Sequence, residues 1–357
     1  MGKKHVMLTD KRDYSLKAHN TFGIEARCRR FLEFCNADEA RRVAEILRED
    51  GGRFLIIGGG SNLLLTKDFD GIVVHSAIRG IKVICPREVQ GSASSSEVPA
   101  DDVLVEAGSG ENWDQFVDYC VKSGLHGTEN LSLIPGEVGA CAVQNIGAYG
   151  AEAKDIIGKV EVLDIQTGEQ RWIDGRDCGY AYRQSRFKNE WKNRFLILGV
   201  VFRLHRRFEP RLDYGNIRSE LERRGIAEPT AEQLRQVIID IRRAKLPDPE
   251  VQGNAGSFFM NPVVDRKVFE RIQADYPDMP HYYIDEAHEK IPAGWMIDQC
   301  GWKGRSMGRA GVHDKQALVL VNLGGATGQE IVALCDAVRQ DVSRKFGVDI
   351  HPEVNVI

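Results

Sequence analysis

The chain has 357 residues, enough for two or three domains that each bury a core, and 48 Lys+Arg against 52 Asp+Glu leave a net charge of −4. That balance lacks the basic excess that counterion release requires and argues against nucleic acid as a partner of the whole chain. A 42% hydrophobic and 28% charged composition excludes a disordered or fibrous chain, and no apolar run approaches the ~18 residues of a membrane span.

The opening MGKKHVMLTD is basic but has no apolar signal-peptide core, so a cytoplasmic location is expected. The first segment reads as strands around one helix, 38–50, whose Ala40, Val43, Ala44 and Leu47 recur at helical spacing before Gly51-Gly52. A strand at Phe54–Ile57 runs directly into Gly58-Gly59-Gly60-Ser61-Asn62, and further strands follow at 63–65 and 72–75. Strand, glycine loop, strand is not a dinucleotide fingerprint, which needs G-x-G-x-x-G opening a helix.

Residues 81–110 read as two strands flanking a polar stretch, 91–97. The longer polar insertion around it, 87–101, is expected to lie far from any site. A helix over 111–123 puts Trp113, Phe116, Val117 and Cys120 on one face and ends at Gly124. A second glycine-rich tract spans 127–150, and strands at 159–165 and 194–204 bracket a basic, tyrosine-bearing loop. The composition shifts near 206–213. Helices over 230–246, with a Thr230/Gln233 capping box, and 327–346, with Thr327 and Glu330, precede a tail at 348–357 that alternates like a strand.

Eight cysteines, among them Cys120 and Cys335 on helical faces, form no C-x-x-C pair, and nine histidines form no H-E-x-x-H cluster. Buried free thiols and no metal are expected.

Several segments can carry chemistry, and each has a bland alternative. GGGSN could aim backbone N–H groups at an anion or be a tight surface turn. The tract NLSLIPGEVGACAVQNIGAYG has small residues wherever a side chain would block the backbone, so with GGGSN it could wrap one long diphosphate cofactor such as FAD. Arg183, in YAYRQSRFK, can fork onto a carboxylate or phosphate, or decorate a basic hairpin. Arg242 and Lys245 share a helix face, where the helix dipole alone would favour cations. Ser257, between Gly256 and Phe258, has no nucleophile-elbow context but could donate a proton. Glu353 reads as a solvated tail residue.

Together these segments resemble the UDP-N-acetylenolpyruvoylglucosamine reductase (UDP-N-acetylmuramate dehydrogenase) family. The resemblance is carried by NTFGI at 20–24, IGGGSNLL at 57–64, ENLSLIPGEVGA and QNIGAYG within 129–150, YRQSRFK at 182–188 and DYGNI at 213–217. It continues through KLPDPEVQGNAGSFFMNP at 245–262, AGWMIDQCGWKG at 293–304 and HPEV at 351–354. The tyrosine in DYGNI resembles the longer, tyrosine-loop subtype.

The resemblance implies an α+β fold: a two-lobed FAD-binding region of the vanillyl-alcohol-oxidase (PCMH) type over 1–210, with lobes of about 1–75 and 76–210, and an α+β substrate-binding domain over 211–357. The last strand, about 348–357, would return to the FAD region. It implies non-covalent FAD, NADPH as hydride-donating co-substrate, and reduction of the enolpyruvyl UDP-sugar to UDP-N-acetylmuramate for peptidoglycan. A monomer without metal, membrane insertion or an obligate protein partner is expected.

Matched residue by residue, Arg183, Ser257 and Glu353 are the implied catalytic groups: Arg183 as charged donor, Glu353, if protonated, as a second donor, and Ser257 as proton donor, with Lys245 and Asn261 as its candidate supports. FAD would be held by Ile57, Gly58, Gly59, Gly60, Ser61, Asn62, Leu63, Pro135, Gly136, Gly139, Ala140, Gln144, Asn145, Ile146, Gly147, Tyr149 and Arg242. Substrate would meet Tyr149, Tyr182, Tyr214, Lys245, Asn261, Tyr282 and Gln316.

Overall fold

Asn36 and Gly51 bound the first helix as the sequence predicts. The Asn36 side chain accepts from Glu39 N, and Gly51, at φ 60°, donates to the Leu47 carbonyl. The computed structural model, which describes residues 8–84 and 101–357, places this helix at Ala37–Asp50. The predicted polar loop at 91–97 and nearly all of the 87–101 insertion lie outside the described residues. By contacts the chain forms two units. One holds the residues up to Tyr14, Cys28–Gly59 and Asp70–Arg242; the other holds Ser15–Arg27, Gly60–Phe69 and Arg243–Ile357.

The first unit contains two sheets. In one the strand order is Thr9–Ser15, Arg27–Phe34, Phe69–Ser76 and Phe54–Ile57, the last two parallel with Ile57 opposite His75. The other is antiparallel, ordered Gln170–Asp174, Ile157–Asp164, Phe195–His205, Asp102–Gly108 and Ile81–Ile84. Its central strand is apolar without alternation because both faces are covered. Leu196 and Leu198 pack with Val43, Ala44 and Leu47 of the first helix, while Ile197, Val200 and Phe202 pack with Trp113 and Phe116 of the helix Trp113–Lys122. A period-2 pattern is expected only where one face meets water.

The helix Ala231–Lys245 keeps its capping box, with Thr230 N donating to Gln233 Oε1 and Gln233 N to Thr230 Oγ1. Its stripe Leu234, Val237, Ile238 and Ile241 closes a small core with Ile217 and Leu221, against Tyr149, Phe208 and Leu212. Residues 211–242 therefore group with the first unit, although the composition shift near 206–213 suggested a division there.

In the second unit a four-stranded antiparallel sheet runs Asn254–Ser257, Val319–Asn322, Ala310–Val312 and Ser306–Met307. The helix Gly328–Phe346 packs on it and begins at the Thr327/Glu330 capping box. A three-stranded sheet orders Val263–Asp265, His288–Lys290 and Tyr282–Tyr283. The tail is not one strand, as its alternation suggested. Asn355–Val356 alone forms a strand there, paired parallel to Leu63–Leu64, and Pro352 makes an isolated bridge with Phe259. Earlier in the tail Pro352 has no N–H for a ladder, and the Ile350 carbonyl accepts from Arg339 Nε instead.

Candidate active site

The first glycine loop is divided between the units, so its glycines serve different contacts. A Cβ at Gly58 would come within 3.0 Å of Ala140 Cβ and 3.3 Å of Glu137 Oε2, and one at Gly59 within 3.4 Å of Gly136 Cα. The two glycine loops therefore touch, backbone against backbone. Gly60, at φ +67°, belongs to the second unit, where a Cβ would sit 2.0 Å from the His19 carbonyl oxygen. The strand end Ile57 leads into this loop half-buried; Leu63, beyond Ser61, is buried in the strand paired with the chain's last one.

Side-chain-free backbone on two touching loops suits the diphosphate of FAD, an anion that needs close main-chain approach. Pro135 is exposed beside Gly136, and Gly139 packs against Ser109. Asn145, at φ 46°, is buried and spends its side chain internally, donating to Glu152 Oε2 and the Ala181 carbonyl and accepting from Lys154 N. It ties the second glycine tract to the Tyr182-Arg183 loop. Ile146, after Gln144, packs against the core of the same unit.

Arg183 lies in this unit too. It sits at φ 56°, donates from Nη2 to the Gly147 carbonyl at 2.9 Å and lies 5.5 Å from the Tyr182 ring centroid. Arg242 donates to the Leu133 carbonyl at 3.2 Å. Burial pulls its pKa down, with Tyr149 and Asp114 opposing and Arg183 reinforcing the shift. Burial conversely raises the Tyr149 phenol, against the nearby Arg242. Tyr149 and Tyr214 meet edge to face, with ring centroids 6.5 Å apart, and Gly150 at φ +76° leaves room for Tyr214. Two guanidiniums and two phenols at one place would attract an anionic ligand with an apolar face.

The second unit, taken by itself, gathers another group of these residues. Phe258 accepts from Glu353 N at 2.8 Å, Met260 N donates to the His351 carbonyl, and Phe259 bridges Pro352. The strand ending at Ser257 and the segment bearing Glu353 are thereby joined at adjacent residues. Asn62 completes the junction: Nδ2 donates to the Glu353 carbonyl at 3.4 Å, and its own carbonyl accepts from Asn355 N. NTFGI, which sequence reasoning left without a role, braces this site. Thr21 donates to the Gly60 and Asn254 carbonyls, and Asn20 makes three bonds that close its own turn.

Asn261 caps the helix Ala293–Gln299 through Ala293 N. Lys245 is exposed, and no hydrogen bond among the described residues joins it or Asn261 to Ser257. Gln316 accepts from Leu318 N, and Tyr282 is 46% exposed with Lys290 over its ring. Sequence reasoning also missed Asp114, which holds Arg235 and accepts from Leu133 N, and the group Glu33, His75 and Glu137. Only Glu137 stood inside a motif.

Residues 29–174 match the FAD binding domain family and residues 248–357 the UDP-N-acetylenolpyruvoylglucosamine reductase C-terminal domain. An FAD-binding α+β region followed by this second domain defines a flavoprotein oxidoreductase. UDP-N-acetylenolpyruvoylglucosamine reductases of Bacteroides fragilis and Pseudomonas aeruginosa are 55% and 48% identical over 344 and 342 residues, each covering 96% of this chain and 99% and 97% of the relative. The enzyme of that name from Thermus caldophilus superposes with a TM-score of 0.61 at 21% identity, over 98% of both chains, and shares the fold. The chain belongs to the UDP-N-acetylenolpyruvoylglucosamine reductase family.

Proposed function

We propose that Arg183, Ser257 and Glu353 carry the sugar-reducing half of the family's reaction. The enzyme reduces the enolpyruvyl ether of UDP-N-acetylglucosamine to UDP-N-acetylmuramate in peptidoglycan precursor synthesis, with NADPH as reductant. Bound FAD, reduced by NADPH, would supply hydride for the enolpyruvyl methylene carbon. Negative charge then builds on the neighbouring carbon and its carboxylate. Fixed donors aimed at that charge lower the barrier because they need no reorganisation at the moment of reaction.

Arg183 is the charged donor, oriented by its bond to the Gly147 carbonyl. Glu353 is the second polar group, and Ser257 gives its hydroxyl proton to the carbon that received the electron pair. The observation that carries this assignment is the hydrogen bond from Glu353 N to the Phe258 carbonyl, which keeps Glu353 beside the strand that ends in Ser257. Gly58, Gly59, Gly136, Ala140 and Arg242 would hold the cofactor diphosphate. Tyr149, Tyr182, Tyr214, Lys245, Asn261, Tyr282 and Gln316 are the substrate-contacting residues in this reading. Tyr214, 49% exposed on the segment after the strand Phe195–His205, is the residue of the tyrosine-loop subtype.

No helix among the described residues is long and apolar enough to cross a membrane. The enzyme works as a cytoplasmic monomer in this reading. Light scattering of the holoenzyme tests the monomer: a mass of one chain supports it and a mass of two overturns it. For the activity, the purified protein should be yellow, bleach with NADPH and recover its colour on addition of the enolpyruvyl sugar. Bleaching without recovery would point to a flavoenzyme of different substrate.

A further inference from the structure

His75 is buried at the end of the strand Phe69–Ser76, in register with Ile57, the residue before the first glycine loop. Its Nδ1 lies 2.8 Å from Glu33 Oε2, on the neighbouring strand Arg27–Phe34. Its Nε2 lies 3.0 Å from Oε1 and 3.2 Å from Oε2 of Glu137, in the second glycine tract. A neutral imidazole has one N–H and can serve only one of two ionised carboxylates. The geometry, with an acceptor on each side, therefore calls for the imidazolium. Among the described residues Glu33 and Glu137 are the charged groups that act on it; burial alone would lower its pKa, but these two push it up to about 9. The ring of Phe31, stacked in turn on Tyr14, lies near it with a centroid separation of 6.5 Å. The Glu33 charge also reaches the Cys35 thiol, beside Glu39.

Glu137 is the anomaly that this arrangement explains. Its Oε2 would be 3.3 Å from a Cβ on Gly58, so a carboxylate stands at the contact of the two glycine loops. An uncompensated carboxylate there repels the diphosphate that those loops are built to hold.

We infer that His75 is a positioning residue for the cofactor, acting through Glu137: as imidazolium between Glu33 and Glu137 it cancels the negative charge that Glu137 would turn toward a bound diphosphate. The inference rests on the reading of these loops as the FAD cradle. It makes FAD affinity depend on pH through a residue buried between two carboxylates. With its pKa raised in the folded protein, His75 supports FAD fully at neutral pH, and that support is lost as pH rises through about 9.

The test is FAD dissociation from the holoenzyme between pH 7 and 10.5, read from the fluorescence of released flavin. The wild-type constant should weaken roughly tenfold or more as pH passes about 9. His75→Gln should be weakened by a similar factor already at pH 7.5 and show no step. Glu137→Gln should bind FAD within a few-fold of wild type and also lose the step. The double variant His75→Gln/Glu137→Gln should recover most of the affinity, since the uncompensated charge is gone. A merely structural role would leave the double variant as weak as His75→Gln or weaker. That result, or wild-type affinity in His75→Gln, overturns the inference. A wild-type protein that takes up no FAD at pH 7.5 would instead overturn the reading of the cradle itself.

Discussion

Arg183 shows how a side chain can be legible in type and invisible in setting. The motif YRQSRFK marked it, but nothing in the sequence indicated φ 56° or the bond to the Gly147 carbonyl. Lysine keeps the charge but cannot both hold that carbonyl and present a second N–H in the same plane. Arg183→Lys should therefore slow reoxidation of the reduced enzyme by the enolpyruvyl sugar about a hundredfold, the lower end of what one oriented donor contributes. FAD content should not change. A loss of FAD with normal reoxidation would make Arg183 a cofactor ligand. His75 was unreadable for a different reason: its partners Glu33 and Glu137 are 42 and 62 residues away in sequence. Its raised pKa has a consequence for the fold as well. The clamp stabilises the folded chain fully below about pH 6.5, the value of a free imidazole, and this contribution is lost as pH rises through about 9. Urea denaturation should show the wild type losing stability between pH 7.5 and 10 and His75→Gln losing less over that range; equal losses would contradict the clamp.

At the scale of elements, the helices with paired end signals were the most legible. Thr230/Gln233 and Thr327/Glu330 each satisfy orphan backbone donors, and the structure begins both helices there. Thr327→Ala should cost about 1 kcal/mol in denaturant titrations. The strand Asn254–Ser257 was not legible, since Asn-Ala-Gly-Ser has no strand propensity and its pairing with Val319–Asn322 comes from far along the chain. The glycine loop was read for its chemistry, but part of its composition answers to packing. Gly60 and Gly23 make the point together: both have positive φ, yet a Cβ at Gly60 meets the His19 carbonyl at 2.0 Å while one at Gly23 meets nothing within 4 Å. Gly23→Ala should cost about 1–2 kcal/mol from backbone strain alone. Gly60→Ala should cost at least about 3 kcal/mol, strain and overpacking combined, even in protein stripped of FAD. Equal effects of the two substitutions would mean that the Gly60 contact is not a constraint.

For the whole molecule, the order of motifs identified the family, and 55% identity to the Bacteroides fragilis reductase over 96% of this chain supports the same assignment. Where the units divide was not legible, because composition changes near residue 210 whereas the apolar stripe of Ala231–Lys245 packs with Ile217, Leu221 and Tyr149. The three side chains proposed to react lie 74 and 96 residues apart in sequence (257 − 183 and 353 − 257), and the fold brings the latter two onto neighbouring segments. The proposed function divides the labour: the flavin can be reduced without Ser257, but the sugar cannot. The most direct measurement follows the two half-reactions separately by flavin absorbance in the Ser257→Ala holoenzyme. Reduction by NADPH should match wild type, and reoxidation by the enolpyruvyl sugar should fall by about 10²–10⁴, the usual contribution of a positioned acid. Reoxidation at a near-normal rate would contradict it.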